Sequence, residues 1–246
     1  MKNKAWINFI LFSGAMLLSG CMPYVKYSAE PIEAWLVDAK TKQPIEGAVV
    51  VAHWELYGAS IVDIGVTHAG NLQFMETMTD KNGRFYFPAW GPLRAWGSRL
   101  TFDDPEMFVF KSGYDTRLLK NEMTTEAIGG QYYPLRTSQW NKKTIELESM
   151  DAQSDKYVEG FVWINHSVEF QIDWYHKECN WRKLPNTLRA FYQERLRLKA
   201  AGIDLRNQNP HKFNFRTIDA GLIDDEKRNV ERGCGSAKDF FKEVLQ

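Results

Sequence analysis

Between residues 32 and 149, apolar and polar side chains alternate in short runs separated by turn-forming residues, the period-2 pattern of strands with one face turned inward. "IEAWLVDA" passes through the turn-like "KTKQP" into "GAVVVAHWEL", whose continuous apolar run suits a strand buried in a sandwich. A Gly-containing loop over residues 58–73 leads to "FMETMTD", the tight turn "DKNG" and "RFYFP". Asn82 and Gly83 both tolerate positive φ, so this stretch predicts a hairpin. "MFVFK", "TRLLK" and "KTIELES" each predict a further short strand. About seven strands without a long helix point to an antiparallel β-sandwich.

The period then changes. Tyr157, Val158, Phe161, Val162, Val168 and Ile172 form a helical stripe over residues 155–172. A second helix places Leu188, Phe191, Tyr192 and Leu196 at helical spacing, with Asn186 as a candidate N-cap and Gly202 as a stop. "NQNPHKFNF" reads as a loop, and Ser236 with Asp239 begins a terminal helix, "SAKDFFKEVL", in a capping-box-like arrangement. The fold class predicted is therefore mainly β with α. A β-sandwich spans residues 32–149 and a small helical region spans residues 150–246.

The N-terminus follows neither pattern. Lys2 and Lys4 precede an apolar segment from Ala5 to Leu18, too short at about 1.5 Å per residue to cross a hydrocarbon core of about 30 Å. A basic start, an apolar middle and small residues before a cleavage point describe an export signal over residues 1–20. Leu18-Ser19-Gly20-Cys21 also resembles the lipobox of bacterial lipoproteins. That resemblance implies diacylglycerol on the Cys21 thiol, cleavage just before it and further acylation of the new amino terminus, followed by a linker over residues 21–31. Two or more acyl chains are what make such an anchor lasting, since one binds a bilayer only marginally. Met22 stands where the family's inner-membrane retention signal has Asp, which implies the outer membrane, facing the periplasm.

Charge and cysteine content narrow the picture. Lysine and arginine number 31, as do aspartate and glutamate. Without a basic run there is no electrostatic reason to expect nucleic acid as a partner. With Cys21 lipidated, Cys179 and Cys234 remain as an even pair in an oxidising compartment, and a disulfide between them is expected. Two free buried thiols are the alternative. Neither cysteine lies in a paired metal-ligand spacing.

"VDAKTKQPIEGAVVVA", "MTDKNGRFYFP" and "FKSGYDTRLL" together resemble the carboxypeptidase regulatory-like module, a transthyretin-like or prealbumin-like sandwich. The resemblance rests on Val37, Asp38, Thr41, Pro44, Gly47, Ala48 and Val50, then on Thr79, Asp80, Gly83 and Phe85. Ala34 stands where the module usually has Gly, and residues 57–73 lengthen the link between its halves, either as a longer hairpin or as a binding loop. The module carries no catalytic residues in the enzymes that gave it its name, so the resemblance implies a scaffold or binding role.

Candidate chemistry is sparse. His166 and Glu169 have the H-x-x-E spacing of zinc carboxypeptidases, but on a helix of a region too small for that fold, so a solvated helix face is the expectation. His53, His68 and His176 could converge, although a lone strand histidine such as His53 is more often a hydrogen-bonded structural residue. No nucleophile elbow, phosphate loop or H-E-x-x-H occurs. Phe85 and Phe87 should share one face of a strand with Tyr86 opposite, while Trp90 and Trp96 occupy a Gly/Pro-rich loop. Tyr86, Trp90 and Trp96 are candidate ligand contacts, able to stack on sugars or grip a peptide, or else they close the end of a core. The expectation is a lipid-anchored envelope protein, a non-catalytic binding or structural unit with an envelope protein partner and no cofactor. The alternatives are a periplasmic hydrolase or metal-dependent enzyme, and a glycan-binding protein.

Overall fold

The computed structural model describes residues 24–60, 65–101, 103–122, 135–173, 179–205 and 217–245. Eleven strands occur among them: β1 (Tyr24–Ala29), β2 (Ile32–Asp38), β3 (Val49–Ser60), β4 (Gly65–Met78), β5 (Arg84–Phe87), β6 (Trp90–Trp96), β7 (Ser98–Leu100), β8 (Glu106–Phe110), β9 (Arg117–Leu119), β10 (Leu135–Arg136) and β11 (Thr144–Leu147). Seven match the strands expected from the alternating pattern. The other four, β1, β6, β7 and β10, were not expected: Tyr24–Ala29 fell in the expected linker, and the Gly/Pro-rich stretch is itself a strand.

β3 is the hub. It pairs with β4 and β8, β8 pairs with β9, and β7 joins the far end of β3. Two three-stranded sheets, β10-β1-β6 and β11-β2-β5, complete the β structure. In each, one pair is parallel, β10 with β1 and β11 with β2, where the alternating pattern led to an antiparallel expectation. Period fixes which face a residue takes, not the direction of a partner distant in sequence. Alternate residues of β3 serve two cores. Val50, Ala52 and Trp54 join Leu36, Phe85, Phe87, Ile145 and Leu147 from the smaller sheets, while Val49 and Val51 join the helices. A strand covered on both faces can be apolar along its length, which is why "AVVVA" does not alternate and why all five residues of β8 are buried.

Within the stretch 57–73, expected as a longer hairpin or a binding loop, the described residues 57–60 and 65–73 continue β3 and β4 as a paired ribbon that runs from Val49↔Met78 to Ser60↔Gly65. The "DKNG" turn forms, with Gly83 at φ +72° and Asp80 accepting from the amides of Asn82 and Arg84. It does not make a hairpin: β4 stays with β3 and β5 pairs with β2, so the turn is a corner between sheets. Only Gly fits there, because a Cβ at residue 83 would lie 2.3 Å from the Leu36 carbonyl oxygen.

The module-like residues build the neighbouring frame. Asp38 accepts from the amides of Lys40 and Thr41 and from the Thr41 hydroxyl, closing the turn after β2. The buried Thr79 hydroxyl donates to the Ile45 carbonyl and accepts from the Ala48 amide, tying that turn to the end of β4.

The helices are α1 (Asp155–Asp173), α2 (Pro185–Ala200), α3 (Ile218–Asp224), α4 (Glu226–Glu231) and α5 (Ala237–Val244), with a 3₁₀ turn at Asn180–Lys183. The α1 stripe is buried as expected; Phe161 and Phe191 meet Phe110 of β8 at centroid distances of 5.6 and 5.1 Å, tilted and edge-on, and each other edge-on at 5.7 Å. Cys179 and Cys234 form the disulfide, with Cα atoms 5.2 Å apart. It fastens the 3₁₀ turn to the approach to α5, where Trp181 packs edge-on to Phe240 and Arg182 donates to the Cys234 carbonyl. Ser236 caps α5 by accepting from the Asp239 amide, as predicted. Asn186 does not cap α2. Pro185 takes the first helical position, and Glu76 of β4 accepts from the amides of Asn186 and Thr187, so a strand carboxylate supplies the cap from across the interface.

Candidate functional site

A cluster of ionisable side chains lies where β3, β4 and β8 meet the end of α1. His53 is fully buried, its ring stacked near-parallel between Phe74 and Phe108 at centroid distances of 5.5 and 5.3 Å. Its Nδ1 is 3.2 Å from Asn71 Oδ1 and its Nε2 is 3.3 Å from Glu106 Oε1. The Asn71 amide donates to the Gln171 carbonyl on α1, which orients its oxygen toward the imidazole. The second Glu106 oxygen meets the Lys120 ammonium, and Lys120 is also 3.6 Å from Asp103. Asn71, His53, Glu106 and Lys120 thus form one chain running from helix to surface.

A second chain lies beside it. The ribbon register shifts at Trp54/Glu55 and again at Leu56/Tyr57, and within this irregular stretch Glu55 and His68 approach to 2.9 Å. Tyr57 stands edge-on to His68 at 6.0 Å, and the Glu55 amide donates to the buried Asp104. Burial pushes the Asp104 carboxyl well above its ordinary range, against the pull of Arg136. Burial also pushes the Tyr57 phenol up, and Glu55 adds to the effect. Glu106 moves the other way: burial would raise it, but hydrogen bonds and charge from His53 and Lys120 outweigh that and hold it low.

Chemically, a histidine oriented by a carboxylate is half of a nucleophilic pair, but the other nitrogen of His53 faces an amide oxygen, where an activated nucleophile would need a hydroxyl or thiol. The arrangement locks α1 onto the sheet. Among the described residues, no group of three or more His, Cys, Asp or Glu side chains is placed to hold a metal ion.

A third buried network joins the helices. Glu194 of α2 accepts from the Tyr157 phenol (2.5 Å), the Ser112 hydroxyl (2.7 Å) and Arg197, which also donates to the Ala152 carbonyl. Burial, with the Glu194 carboxylate adding to it, pushes the Tyr157 phenol up to about 12.

The aromatic candidates separate. Phe85 and Phe87 face the core and Tyr86 faces out, as expected, with Arg84 5.6 Å from the Tyr86 ring centroid. Trp90 and Trp96 have the same strand parity, yet Trp90 is buried edge-on to Trp54 and Trp96 is 56% exposed. The register slips between Tyr27 and Ala29 opposite Gly91-Pro92, which turns the two indoles to opposite faces. Gly-Pro inside a strand is the sequence signal for such an irregularity. His166 is an exposed neighbour of Glu169 on α1, 3.9 Å away. Cys21 and His176 lie outside the described residues.

Sequence reasoning did not find Glu106, Glu76 or Glu194. The readable hint was an acid at the head of an apolar strand, "EMFVF", or inside a helix stripe, since such acids are seldom buried without partners.

No family model and no curated protein matches the sequence. Similar solved structures include a group B streptococcus pilus 2b backbone protein, at 12% identity and TM-score 0.25, covering 50% of this chain and 42% of that one. The C-terminal domain of the shaft pilin SpaA from Lactobacillus rhamnosus GG is similar at 13% identity and TM-score 0.23, over 51% and 98% of the two chains. A 3-chlorocatechol 1,2-dioxygenase from Rhodococcus opacus is similar at 16% identity and TM-score 0.27, over 50% and 61%. The match spans under half the length of the pilus backbone protein. At these TM-scores the similarities carry no argument about this chain.

Proposed function

We propose that this chain is a lipid-anchored cell-envelope protein, held at the outer membrane on its periplasmic side and acting as a non-catalytic binding or structural module. The observation that carries the reading is the Cys179–Cys234 disulfide, since such bonds persist in exported proteins and are rare in a reducing cytosol. It uses two of the three cysteines and leaves Cys21, within Leu-Ser-Gly-Cys, for acylation. In this reading residues 32–149 form a prealbumin-like sandwich with residues 150–246 packed on it, and an envelope protein is the partner. The buried networks support the reading: His53, Glu106 and Glu194 contact other parts of the same chain.

Metabolic labelling with an alkyne fatty acid tests the anchor. The native protein should take up label and sediment with membranes, and Cys21→Ser should lose both. An unlabelled, soluble native protein would overturn it. Crosslinking in intact cells should then capture a specific protein with the anchored form alone. Hydrolysis of an envelope polymer by purified protein, abolished by substituting His166 or Glu169, would overturn the non-catalytic part.

A further inference from the structure

The outward face of the β10-β1-β6 sheet gathers three of the large exposed apolar side chains, Tyr24, Trp96 and Leu135. Strand alternation turns Tyr24 and Lys26 outward on β1, while Val25, Tyr27 and Ala29 back onto the second core. Tyr24 is in register with Trp96 and Lys26 with Arg94. Leu135 of β10 lies in register with Ser28. The Tyr24 and Trp96 rings are 4.9 Å apart, and the Arg94 guanidinium sits 4.7 Å over the Tyr24 ring. Trp96, Leu135 and Tyr24 are 56%, 51% and 42% exposed. One small sheet therefore presents two amphipathic rings, one leucine and two cations on one face.

The position of this face along the chain gives it an occupant. Tyr24 is three residues after Cys21, so at most roughly 11 Å of extended chain separates them. The headgroup layer is roughly 5–7 Å deep on each side of a bilayer. If Cys21 carries the acyl chains, as proposed above, the Tyr24 end of β1 cannot leave the lipid surface. Tryptophan and tyrosine partition to that interface, and lysine and arginine are drawn to anionic headgroups. We infer that the outward face of β10-β1-β6 is a membrane-docking surface. Trp96, Tyr24 and Leu135 enter the headgroup boundary of an anionic phospholipid bilayer, and Arg94 and Lys26 meet its phosphates. The anchor then fixes the orientation of the body as well as its location, with the helices and their disulfide directed into the periplasm.

The test uses the full acylated protein reconstituted in phosphatidylethanolamine–phosphatidylglycerol vesicles with brominated acyl chains, which quench nearby tryptophans. Quenching should be strong in the native protein, lost in Trp96→Phe, and reduced in Arg94→Glu. Protein that carries the Cys21 acyl group by mass spectrometry and floats with the vesicles, yet shows equal quenching with and without Trp96, would overturn docking while leaving the anchor intact. Protein with no acyl group that fails to float would overturn the anchor, and docking with it. Trp96 emission that ignores brominated lipid but responds to added muropeptides would assign the face to a glycan and overturn docking. Trp96 is an exposed side chain, so its replacement leaves the fold intact, which the far-ultraviolet dichroism checks.

Discussion

Reducing the Cys179–Cys234 bond should cost this protein a large part of its stability. The bond joins residues 55 apart, and the segment between them holds α2, α3 and α4. In the chain-entropy account the constraint falls on the unfolded state, and a loop of that length gives about 4 kcal/mol. For a chain of this size each kcal/mol moves the unfolding midpoint by about 2–4 °C, so a fall of roughly 8–16 °C is expected. The assay is thermal and urea unfolding of oxidised and phosphine-reduced protein, followed by circular dichroism and by Trp181, which is buried beside Cys179. Releasing the loop lets the unfolded chain expand, so the m-value should rise as the midpoint falls. The Trp181–Phe240 contact should loosen first, since Arg182 reaches the Cys234 carbonyl beside the bond. A loss below about 1 kcal/mol with an unchanged m-value would refute the reasoning, because the loop would then be restricted without its cross-link.

Three other outcomes are expected. Gly83→Ala should destabilise by about 1–3 kcal/mol in the same urea assay, since residue 83 has φ +72° and a Cβ would meet the Leu36 carbonyl. A double-mutant cycle of Glu194→Gln and Tyr157→Phe should give a coupling of about 0.5–3 kcal/mol, whereas additive effects would deny that the 2.5 Å bond matters. Glu106 and Glu194 are both held below their ordinary value of 4.5, because partners outweigh the opposing effect of burial. Each therefore adds stability that is present above pH 4.5 and lost as pH falls through the lower folded value, so Glu106→Gln and Glu194→Gln should flatten the acid limb of the stability profile.

Local pattern was enough for much of the fold. A strand with one covered face must alternate and a helix on a sheet must carry a stripe, so seven strands and the buried side of α1 were legible residue by residue. Short-range hydrogen bonding was legible too: Ser236 caps α5 because its partner is three residues away. Features whose partners are distant in sequence were not legible. Asn82-Gly83 turns the chain as its φ preferences require, but nothing local decides whether β5 returns along β4 or crosses to β2. The cap of α2 comes from Glu76, 110 residues before Asn186. Trp90 and Trp96 share a parity that a register slip against β1 undoes.

Sequence by itself determined seven of the strands, the helical stripe of α1, the tight turns, the even cysteine pair and the lipobox-like start, because each depends on side-chain period or on neighbours a few residues apart. Only the tertiary structure decided which sheet each strand joined, which acids were buried with partners, and that Tyr24, Arg94, Trp96 and Leu135 share one outward face. Those choices depend on contacts between segments tens of residues apart. Their free energy lies in shared burial and paired charge, which no single stretch of the chain contains.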